Sequence, residues 1–139
     1  MTRTIRIGSE GTYLTLRALI LRAPGQVTGL NVSYSAPDIA AAADLAFQAE
    51  LLDAENLAWF FEEMARNWRG WNEPIGFRTS EGDFTLSADC DRIGHVTIRS
   101  RIITRRWSLD GRLHLEAGML EALATTARRL LLPADHEAR

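Results

Sequence analysis

The stretch Leu57–Trp71 constrains the fold of this chain most, because it concentrates large aromatic side chains in a short helical pattern. Its fifteen residues, LAWFFEEMARNWRGW, include three of the four tryptophans and two of the five phenylalanines. Apolar residues recur at spacings of three and four, which is the pattern of one buried helix face: Leu57, Phe60, Phe61, Met64, Ala65 and Trp68. We therefore expect a helix over about residues 53–68 that organises the core, with Trp68 largely buried.

Both ends of this helix carry recognisable signals. Asp53 is a favourable N-cap residue, because its carboxylate can accept backbone hydrogen bonds at the helix start. At the other end lies Trp68-Arg69-Gly70-Trp71, in which Gly70 can adopt the positive φ that often ends a helix and Trp71 can fold back as an apolar cover. Trp59 lies off the apolar stripe. It is either the edge of the core, which we favour, or an exposed anchor for a partner.

Segments that alternate apolar and polar residues lie before and after this helix, and such alternation predicts half-buried β-strands. A closing helix is expected over about residues 117–131, where leucines and alanines share one face. Because the strands come in two runs, each followed by a helix, we predict an α+β fold with mainly antiparallel sheets. We expect one domain over residues 1–132 and a frayed C-terminal tail over residues 133–139.

The segment Ile39–Glu50 fits two structures. Its alanines favour a helix, whereas its polar residues alternate with apolar ones at a period of two from Asp44 onwards. Helical spacing would scatter those polar residues around the cylinder, so we favour a strand.

The two halves of the chain contain segments that are weakly similar, and this similarity is called the echo here. Residues 47–64 and 113–130 both pass from a predicted strand to a predicted helix through an acidic junction. A duplicated unit and convergent patterning explain this echo equally well.

Composition excludes several classes of chemistry. The net charge of −2 gives no electrostatic reason to expect nucleic-acid or membrane binding. All sixteen positive residues are arginine, so Schiff-base chemistry and a P-loop lysine are excluded. The single cysteine, Cys90, excludes an internal disulfide and fits a reducing compartment. With no signal-like N-terminus and no long apolar run, we expect a cytoplasmic protein.

The segment 90–101 contains the cluster of residues that most suggests a ligand site. If Val96 and alternate residues after it face the core, then His95, Arg99 and Arg101 share the opposite face, with Asp91 across the turn at Gly94. These residues could act as a base, its carboxylate partner and two anion-binding groups. We favour a simpler interpretation, in which Asp91 caps backbone amides and His95 closes the hairpin.

Other candidate sites are weaker. The three histidines are far apart in sequence and no metal-binding spacing occurs, so we expect neither a metal nor another cofactor. Cys90 continues the apolar alternation of the preceding strand and is interpreted as a small buried hydrophobe.

Several pieces of the chain in combination resemble a known family: Trp68-Arg69-Gly70-Trp71, Glu81-Gly82 and Gly94-His95-Val96. They are similar to a family of small uncharacterised proteins from high-GC bacteria that is known only as a domain of unknown function. The resemblance covers nearly the whole chain and implies no activity, so no catalytic residue carries over. The size and element order are also loosely similar to those of WapI-type immunity proteins, which neutralise partner toxins, although architecture alone is a weak guide to function.

These observations predict a non-catalytic domain that binds another protein or a second copy of itself, with toxin neutralisation as the most specific form. The mild acidic balance would suit a basic partner, but a net charge of −2 is too small to carry that argument. The alternative is a protein that binds a small anionic ligand, or an enzyme, using His95, Asp91 and Arg99.

Overall fold

Two four-stranded antiparallel sheets, each followed by a helix, form the fold in a computed structural model that describes residues 4–22 and 26–133. Sheet A consists, in chain order, of β1 (Thr4–Gly8), β2 (Tyr13–Arg22), β3 (Gln26–Ala36) and β4 (Ile39–Ala46), and α1 (Glu50–Arg66) follows it. Sheet B consists of β5 (Trp71–Arg78), β6 (Phe84–Cys90), β7 (His95–Ile103) and β8 (Ser108–Glu116). A 3₁₀ turn over Ala117–Met119 leads into α2 (Leu120–Leu131). The predicted α+β class is confirmed, and residues 134–139 of the predicted tail lie outside the described residues.

The ambiguous segment forms a strand over Ile39–Ala46, as favoured from its alternation, and its last residue, Glu50, begins α1. β4 pairs with β3 in an unbroken antiparallel register from Gly29↔Ala46 to Ala36↔Ile39. The Asn31 amide donates a hydrogen bond of 2.8 Å to the Asp44 carboxylate on the outer face of this pair. Cross-strand partners on both faces thus outweigh the helical propensity of the alanines.

The predicted helix N-cap is wrong. The helix α1 begins at Glu50, and the backbone N–H of Asp53 already donates to the Ala49 carbonyl at 2.7 Å. The Asp53 side chain is buried instead, and it accepts hydrogen bonds from the backbone N–H and the hydroxyl of Ser80 at 3.1 and 2.9 Å. Asp53 therefore ties α1 to the turn between β5 and β6.

The expected burial of Trp68 is also wrong, since 54% of this residue is exposed. The helix ends at Arg66, because Asn67 adopts a non-helical conformation and its amide bonds back to the Glu63 carbonyl. Trp68 lies beyond that end and leaves the apolar face that the spacing assigned to it. The guanidinium of Arg69 lies over its ring, 5.1 Å from the ring centroid.

The remainder of the helix-end motif behaves as expected. Gly70 has a φ of +119°, a conformation that favours glycine. Trp71 packs partly buried against the core, and its indole N–H donates to the Ala88 carbonyl at 2.8 Å. The motif thus turns the chain from α1 into sheet B.

One hydrophobic core joins both halves of the molecule. Phe60 and Phe61 are fully buried and meet edge to face, with ring centroids 5.3 Å apart. α1 packs on α2 and on β5, while α2 packs on β1, so each helix contacts the first strand of the other half. Glu62 and Arg128, which are 66 positions apart, form two hydrogen bonds between the helices. The similar segments 47–64 and 113–130 have the same offset, which duplication and convergent patterning both explain.

The two sheets also contact each other directly, through β1 and β8 and through one aromatic side chain. Tyr34 on β3 packs over Gly111 on β8, and a methyl group at Gly111 would overlap the tyrosine ring. Glycine is therefore required there by the close approach of an aromatic ring.

Candidate functional site

The predicted site residues lie on the outer face of sheet B, which is defined here as its side away from the core. Along β7 the inward residues are buried, as expected: Val96, Ile98, Ser100 and Ile102. The alternate residues His95, Arg99 and Arg101 are exposed on the outer face. The alternation predicted from the sequence is therefore confirmed, and the strand register decides which residues become neighbours.

Asp91 acts as a turn cap. One of its carboxylate oxygens accepts hydrogen bonds from the backbone N–H groups of Ile93 and His95, both at 2.9 Å. Gly94 permits this turn with a φ of +86°. The backbone hydrogen bond from His95 is the main cause that lowers the pKa of Asp91, supported by the bond from Ile93 and by the nearby imidazole. These hydrogen bonds show the turn cap expected for Asp91, and a ligand role for Asp91 and His95 stays a prediction.

His95 lies between two carboxylates at this end of the sheet. Its Nδ1 is 3.3 Å from an oxygen of Asp91, and its Nε2 is 3.7 Å from an oxygen of Glu116 on β8. A shallow depression of about 860 Å³ extends from here past His114 to Arg6 on β1. The His95 side chain is 57% exposed, so solvent reaches the imidazole freely.

Arg101 lies at the opposite end of the face and is already engaged. It pairs with Asp110 on β8 through two hydrogen bonds of 2.6 and 2.9 Å. This contact lowers the pKa of Asp110 and raises that of Arg101. Arg101 therefore has its charge compensated.

Arg99 lies between these two ends and directly opposite Arg112 of β8. Among the described residues, neither arginine has a salt bridge or hydrogen-bond partner in the side-chain contacts of this face. A cavity of about 650 Å³ is lined by both arginines together with Ser87 and Thr85 on β6. Arg112 was not predicted as a site residue. The alternation of β8 places it on the outer face, but only the register shows that it faces Arg99.

The four predicted residues thus share one face without converging on one point. Asp91 and His95 are in contact, whereas Arg99 lies four residues further along β7, about 13 Å away at the rise of a strand. Arg101 is further still and is occupied by Asp110. One small substrate cannot contact His95, Arg99 and Arg101 together in this arrangement.

A second surface of interest is the outer face of α1. Leu52 and Trp59 are seven residues apart, which places them on the same side of the helix, two turns from each other. Leu52 is 57% and Trp59 49% exposed. Trp59 is exposed and lies outside the core, so the favoured interpretation as a core edge is wrong, and its role as an anchor for a partner stays a prediction.

Comparison of the sequence with known families decides its membership. The model of DUF6228, a family of unknown function, matches residues 6–134. The chain belongs to DUF6228. No curated protein matches it at a significant level.

Membership of DUF6228 assigns no chemistry to these two surfaces. Within residues 4–22 and 26–133 no group of three His, Cys, Asp or Glu side chains could hold a metal ion. None of the helices in that part of the chain is long and apolar enough to cross a membrane. Cys90 of this DUF6228 chain packs at the border of the core, and burial, with a smaller effect of Asp91, raises the pKa of its thiol.

Proposed function

We propose that this DUF6228 protein is a cytoplasmic, non-catalytic domain that binds another protein through the outer face of α1. The observation that carries the proposal is the pair Leu52 and Trp59, two large apolar side chains exposed on the same side of one helix. Tryptophan is enriched among the residues that dominate binding energy, because a large flat ring gains much from desolvation.

The charge of α1 supports a basic partner. Its seventeen residues carry five carboxylates, of which Asp53 is buried and Glu62 and Glu63 each pair with an arginine. Glu55 lies between Leu52 and Trp59 along the helix and is exposed. A carboxylate beside an apolar anchor attracts a positively charged surface and orients it.

Toxin neutralisation is the most specific form of this proposal. A basic toxin, such as a nuclease that must bind nucleic acid, would present the required surface. The resemblance of the chain to proteins of high-GC bacteria and its loose architectural likeness to WapI-type immunity proteins support this form. A likeness of architecture is a guide to which partner to test first.

The test compares two tryptophans of similar exposure. The probe is the purified C-terminal domain of a secreted toxin encoded beside this gene, and its binding is measured by calorimetry. We expect Trp59→Ala to weaken binding by about 2 kcal/mol, roughly 30-fold. Trp68→Ala is the matched control, because Trp68 is equally exposed but lies past the end of α1. Equal losses in both variants, or no complex with the parent, would reject the proposal.

A second copy of the chain is an alternative partner, favoured by the free edge of sheet A. The edge strand β4 has an unbroken register and no proline, whereas the edge strand β5 contains Pro74 and an irregular register. An unprotected edge of this kind can pair with another strand. Sedimentation of the parent as a dimer, and of Ala42→Lys as a monomer, would support self-association. A parent that remains monomeric at every concentration would exclude it.

An anionic-ligand protein or enzyme is the other alternative, favoured by the contact between Asp91 and His95 at an open depression. A carboxylate that orients an imidazole is a common arrangement of a general base. Titration with small phosphate and carboxylate anions, followed through the His95 ring signals by NMR, tests this alternative. Saturable shifts of those signals would favour it over protein binding.

A further inference from the structure

On the outer face of sheet B, residues of β7 and β8 that lie directly opposite each other form cross-strand pairs, called rows here. Two neighbouring rows differ in their charges. In one row Arg101 faces Asp110 and forms two hydrogen bonds with it. In the next row Arg99 faces Arg112. Like charges directly opposite each other on adjacent strands destabilise a sheet. The second row therefore carries an electrostatic cost that the first row avoids.

No carboxylate of this face offsets that cost in the part of the chain that the structure describes. Both oxygens of Asp110 are taken by Arg101. Asp89 on β6 faces Thr97 and forms no salt bridge with either arginine. Arg99 and Arg112 thus occupy directly opposite positions and line the same cavity as two positive charges that no described carboxylate of this face compensates.

The surroundings of this arginine pair add hydrogen-bond donors and space. Ser87 faces Arg99 from β6, and Gly76 of β5 faces Ser87 without a side chain. The cavity at this place, about 650 Å³, lies within the size range of small-molecule sites. Two guanidinium forks and a hydroxyl above a groove of this size match the oxygens of a tetrahedral anion.

We propose that Arg99, Arg112 and Ser87 form a binding site for a phosphate-type dianion. Two arginines supply a charge of about +2, which a dianion neutralises and a single carboxylate does not. The anion can be free phosphate or the phosphate group of a small molecule, and the cavity has room for the remainder of such a molecule. This site does not depend on protein binding at α1, so either proposal can fail while the other stands.

The experiment follows the side-chain N–H signals of the arginines by NMR while inorganic phosphate is added at constant ionic strength. We expect saturable shifts of the Arg99 and Arg112 signals and unchanged signals of Arg101 and Arg17. Arg17 is the matched control because it lies on an outer sheet face, opposite Thr4 and Asn31. Arg99→Gln and Arg112→Gln should each weaken phosphate binding about tenfold or more, and Arg17→Gln should not. Shifts that chloride reproduces, or equal losses in Arg17→Gln, would overturn the site.

A phosphate monoester, phenyl phosphate, distinguishes the two sources of the anion. Tighter binding than inorganic phosphate indicates that the natural ligand is a phosphorylated small molecule, and equal binding indicates phosphate itself. The variant Arg112→Glu gives a readout that does not require the ligand. It restores the charge arrangement of the neighbouring row, so we expect a higher melting temperature together with loss of phosphate binding. A lower melting temperature with retained binding would contradict the argument.

Discussion

The two halves of this protein share an order of elements, four antiparallel strands and a helix, but they differ in where their large and charged side chains lie. Buried residues of α1 include two phenylalanines and a methionine, whereas those of α2 are only leucines and alanines. With the offset of 66 residues that relates Glu62 to Arg128, Phe61 corresponds to Ala127, and both are fully buried. The first half therefore supplies the volume at the helix interface, and the second half accommodates it.

The two halves also differ in the side chains on their outer surfaces. The outer face of sheet A is dressed mainly with alanines, hydroxyls and amides, whereas that of sheet B carries opposed arginines. The helices differ as well. α1 is acidic and exposes Leu52 and Trp59, whereas α2 exposes only polar residues and alanine. A shared topology thus carries exposed apolar side chains on the helix of one half and two directly opposed arginines on the sheet of the other.

The largest expected effect tests the unequal contribution of the helices to the core. Phe61→Ala should lower the free energy of unfolding by about 3–5 kcal/mol, because it removes a buried ring and leaves a cavity. Ala127→Gly, at the corresponding position of α2, should cost only about 1 kcal/mol through helix propensity. Denaturant unfolding measures both values. Similar costs for the two variants would break the comparison.

A smaller effect is expected at Asp53, which has no counterpart in the second half, since the corresponding position is the exposed Met119. Asp53→Ala leaves the N–H of Ser80 without its acceptor and should cost about 1–3 kcal/mol in denaturant unfolding. Asp53→Asn is the control, because an amide can still accept from that N–H. If Asp53→Ala and the parent have the same free energy of unfolding, the link between α1 and sheet B contributes no stability.

The exposed tryptophans should matter still less for stability. Trp68→Ala and Trp59→Ala are each expected to cost about 1 kcal/mol or less, because half of each side chain is already in water. Thermal unfolding followed by circular dichroism measures these costs. If Trp68→Ala lost as much stability as Phe61→Ala, Trp68 would belong to the core, as the spacing of apolar residues predicts.

The smallest effect concerns the compensated row of sheet B. Because Arg101 lowers the pKa of Asp110, the ionised carboxyl stabilises the folded state above the unfolded-state pKa of about 3.9, and this contribution is lost as pH falls through the lowered value. The difference in unfolding free energy between the parent and Asp110→Asn should therefore be constant near neutral pH and shrink in acid. Arg101→Gln should remove that pH dependence. An unchanged acid dependence in Arg101→Gln would show that Asp110 is stabilised by another group.

The regular elements were predictable because their signals are local. Period-two alternation identified the strand β4 in spite of its alanines, and it placed His95, Arg99 and Arg101 on one face. Spacing failed at Trp68, because apolar periodicity continues past the point where Asn67 ends the helix. The N-cap prediction failed at Asp53 because an aspartate can serve either as a helix cap or as a buried hydrogen-bond acceptor. In this fold Asp53 is the acceptor for Ser80.

By itself, the sequence determined the α+β class, the two strand runs and the outward direction of the β7 arginines, because each depends on near neighbours along the chain. Only the tertiary structure decided that Arg101 faces a carboxylate while Arg99 faces Arg112. It also decided that Trp59 is exposed and that Tyr34 reaches Gly111. Such pairings depend on strand register and on the packing of distant elements, and a shift by one residue would exchange every partner and turn every side chain to the other face.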